Sequence, residues 1–233
     1  MVFRPETTKK IGNQPPYNPV KFLLFDFDGT LADSLGWLAR IMPEAAARYR
    51  FSIIDSKKQN WIRSLDSHEL VEYLRIPAWK IPLVANYLRR RMAKDIHEIR
   101  LYPGIEPLLL QLATRPLKMG ILSSNAKNNV QHVLGDKLSS VFHHYECGIS
   151  LLGKTRQLKN VLSKSGFQAS DSYFIGDEIR DLDAAKKVGV RFGAVTWGFN
   201  NETGFQRHQP DKIFHNVSEI SDLIAFHSTP SLI

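Results

Sequence analysis

Apolar residues recur along this chain in two rhythms. Short, nearly continuous runs occupy the first half of residues 20–34, then residues 117–122, 172–175 and 190–196, with further ones at 141–146 and 212–214. Runs of that length predict strands, and the Phe- and Leu-rich first run suits a strand buried on both faces in the middle of a parallel sheet. Between the runs the spacing becomes that of helices, over residues 105–113, 126–134, 154–165 and 181–188, with a closing helix near 217–226. Short strands alternating with helices predict an α/β fold, an open parallel sheet with helices on both faces. No fixed period repeats along the chain, which argues against a solenoid.

One long stretch breaks the alternation. From Ser34 to about Arg100 the pattern is helical: Leu35, Leu38, Ala39, Met42 and Ala46 fall at helical spacing, as do Leu70, Tyr73 and Leu74. Pro77 and Pro82 interrupt it, and a further helix is predicted from near Pro82 to Lys94, carrying Arg89-Arg90-Arg91 towards its end. No strand is predicted here. The chain thus divides into a polar, proline-punctuated arm (residues 1–19, expected to be poorly ordered), a core domain (20–34 and 101–233) and a small all-helical insert after the first strand (35–100).

Composition sets bounds. The 233 residues suffice for one large domain or for a core with a smaller insert. No apolar run is long enough to span a membrane, and the arm lacks the apolar centre of a secretory signal. The one cysteine, Cys147, cannot form an internal disulfide, which fits a reducing, cytoplasmic setting; it reads as a small core residue rather than a catalytic thiol. A net charge of +8 favours anionic partners. That could mean nucleic acid, yet the basic residues are scattered, without a tail or a binding module, and an enzyme acting on small phosphorylated molecules would show the same bias.

Candidate chemistry gathers where the strands end, because ligands of such sheets bind beyond the carboxyl ends of the strands. The first strand runs into Asp26-Phe27-Asp28-Gly29. Asp26 and Asp28 point the same way in an extended segment, and Gly29 permits a sharp turn. Two like charges at the mouth of an apolar core lose hydration and repel, so they need a cation; Mg²⁺, a hard ion that takes oxygen ligands, is the natural candidate. Asp-Gly is also a common turn signal. Ser123, Ser124 and Asn125 end the second apolar run and begin a helix, offering a hydroxyl and free N–H groups to an anion. Lys154 opens a helix, where the dipole disfavours a cation, which points to a functional reason. Asp177 follows a strand, with Glu178 beside it and Asp181 one turn on. Read blandly, Ser123 caps a helix, Lys154 is a surface lysine and Asp181 a first-turn acid. Asp26, closing an apolar strand, has no comfortable reading of that kind.

The ordered set Asp26-Phe27-Asp28-Gly29-Thr30, Ile121-Leu122-Ser123-Ser124-Asn125, Gly153-Lys154 and Gly176-Asp177-Glu178-Ile179-Arg180-Asp181 resembles the haloacid dehalogenase-like superfamily of hydrolases, over nearly the whole chain from Val20 onward. The layout, with Tyr102-Pro103-Gly104 and Val195-Thr196-Trp197-Gly198, is most similar to the phosphoglycolate phosphatase branch. The resemblance implies a Rossmann-like core under a mobile helical cap, and a Mg²⁺-dependent phosphomonoester hydrolase acting on a small phosphorylated metabolite, with phosphoglycolate a candidate. Asp26 would attack phosphorus to form an aspartyl-phosphate, and Asp28 would protonate the leaving oxygen and then activate water. Asp26, Asp28 through its carbonyl, and Asp177 would hold the Mg²⁺. Ser123, with Ser124 and Asn125, and Lys154 would bind the phosphoryl oxygens. Asp181 would support the site from behind, and Glu178 would either do the same or face solvent.

Asp28 argues against the dehalogenase reaction, whose halide leaves without a proton. The loop of Lys154 reads Gly-Lys-Thr-Arg where many phosphoglycolate phosphatases have Lys-Pro-x-Pro, which weakens the case for that one substrate. Arg63, His68, Arg75 and Arg89 are candidate cap contacts, although long basic side chains more often lie on solvated faces. Two other functions share parts of the pattern: a sugar phosphomutase of the same fold, and a basic nucleic-acid-binding protein on an inactive hydrolase scaffold. The intact acidic set weighs against the second, since it would repel a polyanion.

Overall fold

The computed structural model describes residues 19–148 and 153–225. The predicted arm falls outside them except for its last residue, as does the far end of the closing helix. In chain order the elements are β1 (Phe22–Phe25), β2 (Ala32–Asp33), α1 (Leu35–Tyr49), α2 (Gln59–Ile62), α3 (Ser67–Tyr73), α4 (Ile81–Asp95) and β3 (Arg100–Leu101). Then follow α5 (Ile105–Ala113), β4 (Lys118–Leu122), α6 (Lys127–Ser139), β5 (His144–Glu146), α7 (Lys154–Ser165), β6 (Ser172–Gly176), α8 (Ile179–Val188), β7 (Arg191–Val195), α9 (Glu202–His208), β8 (Lys212–Phe214) and α10 (Glu219–Ala225).

Six strands pair in parallel in the order β5-β4-β1-β6-β7-β8. The sequence of β1 explains its place inside the sheet. Leu23 and Phe25 pack on one face with Ile105, Leu109 and Leu112 of α5 and Val130 and Leu134 of α6. Phe22 and Leu24 pack on the other with Leu158 and Val161 of α7 and Leu182 and Ala185 of α8. Every residue of β1 is fully buried. At about 1.5–3 kcal/mol for each large apolar side chain removed from water, only a strand covered on both sides recovers that gain. The chain crosses from β1 to β4 and β5, then returns past β1 to β6, and this reversal opens a crevice at the strand ends.

Helices α1 to α4 lie between β1 and β4 in sequence, and the segment is closed at its base by a ribbon absent from the sequence expectation. β2 and β3 pair antiparallel, Ala32 with Leu101 and Asp33 with Arg100. Two residues per strand carry no alternation to read. The apolar stripe of α1 also differs from the expected one. Trp37, Ile41, Ala45 and Ala46 are buried, while Leu35, Leu38 and Met42 are only half-buried and Ala39 is exposed. The Trp37 indole donates to Asp95 at 2.9 Å, joining α1 to the end of α4 and turning the helix on that face. Of the core elements, β5 starts at His144 rather than near 141, and α6 runs on to Ser139 through a break at Gly135. The short α9 was not predicted; its start is fixed by the Asn201 side chain accepting the Gly204 N–H at 3.1 Å.

Candidate active site

Register decides which residues meet. Phe25 pairs with Ile121 of β4 on one side and with Ile175 of β6 on the other. The residues that leave these strands, Asp26, Ser123 and Asp177, therefore become neighbours at one end of the sheet. Lys154, the first residue of α7, reaches the same place. Its ammonium lies 2.9 Å from Asp26 Oδ2 and 3.0 Å from Asp181 Oδ1, and all three side chains are almost wholly buried. Burial alone would lower the Lys154 pKa, but the Asp181 and Asp26 carboxylates outweigh it and hold it above the ordinary lysine range. The ammonium stays charged at neutral pH.

Asp26, Asp177 and Asp181 offer carboxylate oxygens that all lie within 4.8 Å of one another. Asp177 is held from two sides. Its Oδ1 accepts the Thr30 hydroxyl and its Oδ2 the Phe199 N–H, both at 2.7 Å. Burial pushes the Asp177 carboxyl up to about 8, with the charges of Glu178 and Asp26 adding to it. Asp181 is raised as well, chiefly by burial, which the Lys154 charge only partly offsets. A buried set of hard oxygen donors whose own charge is this unfavourable fits Mg²⁺.

Two glycines allow the chain to close on Asp177. Gly29 takes the left-handed conformation (φ 78°), and a Cβ there would sit 2.1 Å from Asp177 Oδ2. A Cβ on Gly198 would fall 2.2 Å from Asp177 Cβ and 2.3 Å from the Gly29 carbonyl oxygen. Neither neighbour can yield, since one is backbone and the other a buried carboxylate. Gly198→Ala is expected to cost about 2 kcal/mol or more in a urea melt, the range for overpacking a filled interior. A melt unchanged from the parent would contradict this packing.

Asp28 stands outside the carboxylate cluster. Its oxygens face the Asn125 side-chain amide at 3.1 and 3.4 Å. Burial, then the Asp26 charge, raises its carboxyl to about 6, against the opposing effects of Asn125, Ser34 and Lys154. Asn125, expected at the phosphate, thus turns its amide to Asp28, and its Oδ1 accepts from the Ala126 N–H and the Asn129 amide at 2.8 and 2.9 Å. The buried Ser123 hydroxyl accepts the Asn125 N–H at 3.0 Å, and Ser124 is half-buried beside it. Glu178 is half-buried and pairs with the Arg180 guanidinium. Asp181, expected to support the site from behind, pairs with Lys154 at 3.0 Å.

Several contributors had no assigned role in the sequence reading. Thr30 lay inside the first motif. Phe199 acts through its backbone N–H, so its side-chain type carries no signal. The Asn200 carboxamide oxygen accepts the Ile179 N–H at 2.8 Å, fixing the start of α8 next to Asp177. Of the four basic residues considered on the inserted helices, His68, Arg75 and Arg89 are exposed. Arg63 turns to the loop that follows β7, where its guanidinium donates to the carbonyls of Thr196 and Gly198 (both 2.8 Å) and Phe199 (3.1 Å).

This arrangement of a parallel sheet with carboxylates, a lysine and a serine at its strand ends has relatives. The family model described as haloacid dehalogenase-like hydrolase matches residues 23–195. A phosphoglycolate phosphatase of Synechococcus elongatus is 33% identical over 199 residues, which are 85% of this chain and 94% of that one. A 5'-nucleotidase of Pseudomonas aeruginosa is 24% identical over 216 residues, 88% of this chain and 96% of that one. In fold, a solved structure described as a predicted phosphatase from Clostridium acetobutylicum matches with a TM-score of 0.75 at 22% identity, covering 90% of this chain and all of that one. The chain belongs to the haloacid dehalogenase-like hydrolases. Within them it falls in the phosphoglycolate phosphatase-like branch. Among the described residues no helix is long and apolar enough to cross a membrane.

Proposed function

We propose that this chain is a Mg²⁺-dependent phosphomonoesterase that works through an aspartyl-phosphate on Asp26 and takes phosphoglycolate, or a small ester like it, as substrate. The observation that carries this reading is the buried contact of Lys154 with Asp26, 2.9 Å apart, next to a second carboxyl, Asp28, poised near 6. A fixed cation at the nucleophile neutralises the incoming phosphate, which would otherwise be repelled by the carboxylates around it. One Asp26 oxygen attacks phosphorus, and the bond from phosphorus to the leaving oxygen breaks as Asp28 gives that oxygen its proton. Asp28 then takes a proton from the water that attacks the same phosphorus, releasing phosphate and restoring Asp26. A carboxyl near 6 is able to do both at neutral pH. Asp26, Asp177 and the Asp28 carbonyl would hold Mg²⁺, with Asp181 within reach; the ion when bound supplies positive charge that offsets the carboxylates and the transferring phosphoryl group. Ser123 and its neighbours bind the remaining phosphoryl oxygens, while Asn125 orients Asp28. Residues 35–100 act as the cap over this core.

The substrate choice rests on the Synechococcus elongatus relative, which covers most of both chains. Phosphate release measured on a panel of metabolites tests both parts. The expected result is hydrolysis of phosphoglycolate with Mg²⁺, at least about tenfold better in kcat/KM than 5'-nucleotides, and loss of activity with a chelator. A nucleotide preference would overturn the substrate. Mg²⁺-independent turnover, or none on any monoester, would overturn the mechanism.

A further inference from the structure

Arg63 belongs to the inserted helical segment, yet all three of its side-chain hydrogen bonds end on one core loop, residues 196–199. The opposite side of that loop is the wall of Asp177. The Phe199 N–H donates to Asp177 Oδ2 at 2.7 Å, the Asn200 N–H donates to the Asp177 carbonyl at 3.0 Å, and Gly198 lies against the Asp177 side chain. Trp197 adds a second route, since its indole donates to the Thr30 carbonyl at 3.1 Å while the Thr30 hydroxyl donates to Asp177 Oδ1. The backbone answers the guanidinium. The Arg63 carbonyl accepts from the Asn200 side chain at 3.0 Å and from the Asn201 N–H at 2.9 Å.

We infer that Arg63 is a positioning residue for Asp177: by holding the 196–199 loop from the inserted segment, it sets the orientation in which Asp177 presents its carboxylate to Mg²⁺. The inference rests on the metal reading given above. A guanidinium suits the task because its planar fork spreads donors to three carbonyls at once, whereas the three donors of a lysine ammonium radiate from one atom and cannot span them in the same way. Carbonyls left without a donor in a half-buried loop would be driven to turn towards water, and the Phe199 N–H would turn with them. Linkage then runs both ways: whatever undocks the segment around Arg63 weakens Mg²⁺, and Mg²⁺ strengthens the docking by the same factor.

The test uses the full chain with Arg63→Met and, as a milder variant, Arg63→Lys. Mg²⁺ affinity is read by titration calorimetry, and the Phe199 and Asn200 amides are followed by NMR hydrogen exchange in chelator. Both variants are expected to keep the parent's far-UV circular dichroism and to bind Mg²⁺ about 10–100-fold more weakly, as changes behind a metal ligand do. In metal-free protein both amides should exchange faster, and at saturating Mg²⁺ kcat should return close to the parent value. Mg²⁺ affinity within twofold of the parent, amides that stay protected, or a kcat still depressed at saturating Mg²⁺ would each overturn the assignment. If the parent itself binds no Mg²⁺, the metal reading fails; the exchange measurement in chelator still decides whether Arg63 positions the loop at Asp177.

Discussion

Asp26→Asn is expected to lower kcat by about four orders of magnitude or more while leaving the protein as stable as its parent. The two effects separate because the side chain has a chemical task and a structural one. A carboxamide is no nucleophile, so the covalent route through residue 26 closes. The structural task survives, since the amide oxygen can still accept the Phe27 N–H that Asp26 Oδ1 accepts at 2.7 Å. Lys154 keeps Asp181 at 3.0 Å. The substitution also removes a negative charge that raises the carboxyls of Asp28 and Asp177, so both should fall back towards ordinary values. Steady-state phosphate release and a thermal melt measure the two sides. Activity within tenfold of the parent would show that residue 26 is not the nucleophile, and a collapse in melting temperature would show that its role is structural.

That the site was legible at all follows from where its residues sit. Asp26, Ser123, Lys154 and Asp177 each stand at the end of a strand or the start of a helix, positions that hydrophobic rhythm marks well. The apolar run of β1 fixed both the strand and the oddity of a carboxylate at its end. What the rhythm could not mark is geometry between elements. Asp181 was expected to support the site from behind, and its 3.0 Å contact with Lys154 depends on how α7 and α8 pack. Asn125 was expected on the phosphate because it stands where a strand ends and a helix starts, and its turn towards Asp28 depends on the loop beyond β4 meeting the loop beyond β1. Arg63 was one of four equivalent-looking basic residues. The carbonyls that distinguish it belong to a loop far along the chain. The β2–β3 ribbon and the stripe of α1 escaped for related reasons, one too short to show a period and the other set by how α1 packs on α4, where Trp37 bonds Asp95.

Lys154→Met should remove most activity and, unlike the change at Asp26, should destabilise the protein in a pH-dependent way. The ammonium is the cation that lies within 3.0 Å of both Asp26 and Asp181. Without it these carboxylates face each other with exposures of 4% and 0%, and breaking a buried pair in this manner costs about 3–5 kcal/mol. The protein can escape part of that cost by protonating a carboxylate, and the direction of the pH effect follows. Asp181 is already raised by burial in the parent, and losing the Lys154 charge removes an effect that lowers it. A carboxyl whose folded pKa lies above its unfolded value contributes stability at low pH, and that contribution is lost as pH rises through the folded value. The gap in melting temperature between parent and variant should therefore be small at acid pH and widen as pH rises, with chelator present throughout. Mg²⁺ should narrow it, by supplying positive charge to the same carboxylates. Turnover at saturating Mg²⁺ should still fall about 10²–10³-fold, because the phosphoryl group has lost its fixed counter-charge at Asp26. A gap that stays constant as pH rises would mean that Lys154 contributes through packing of its stem, and that the charges of Asp26 and Asp181 are compensated by other groups.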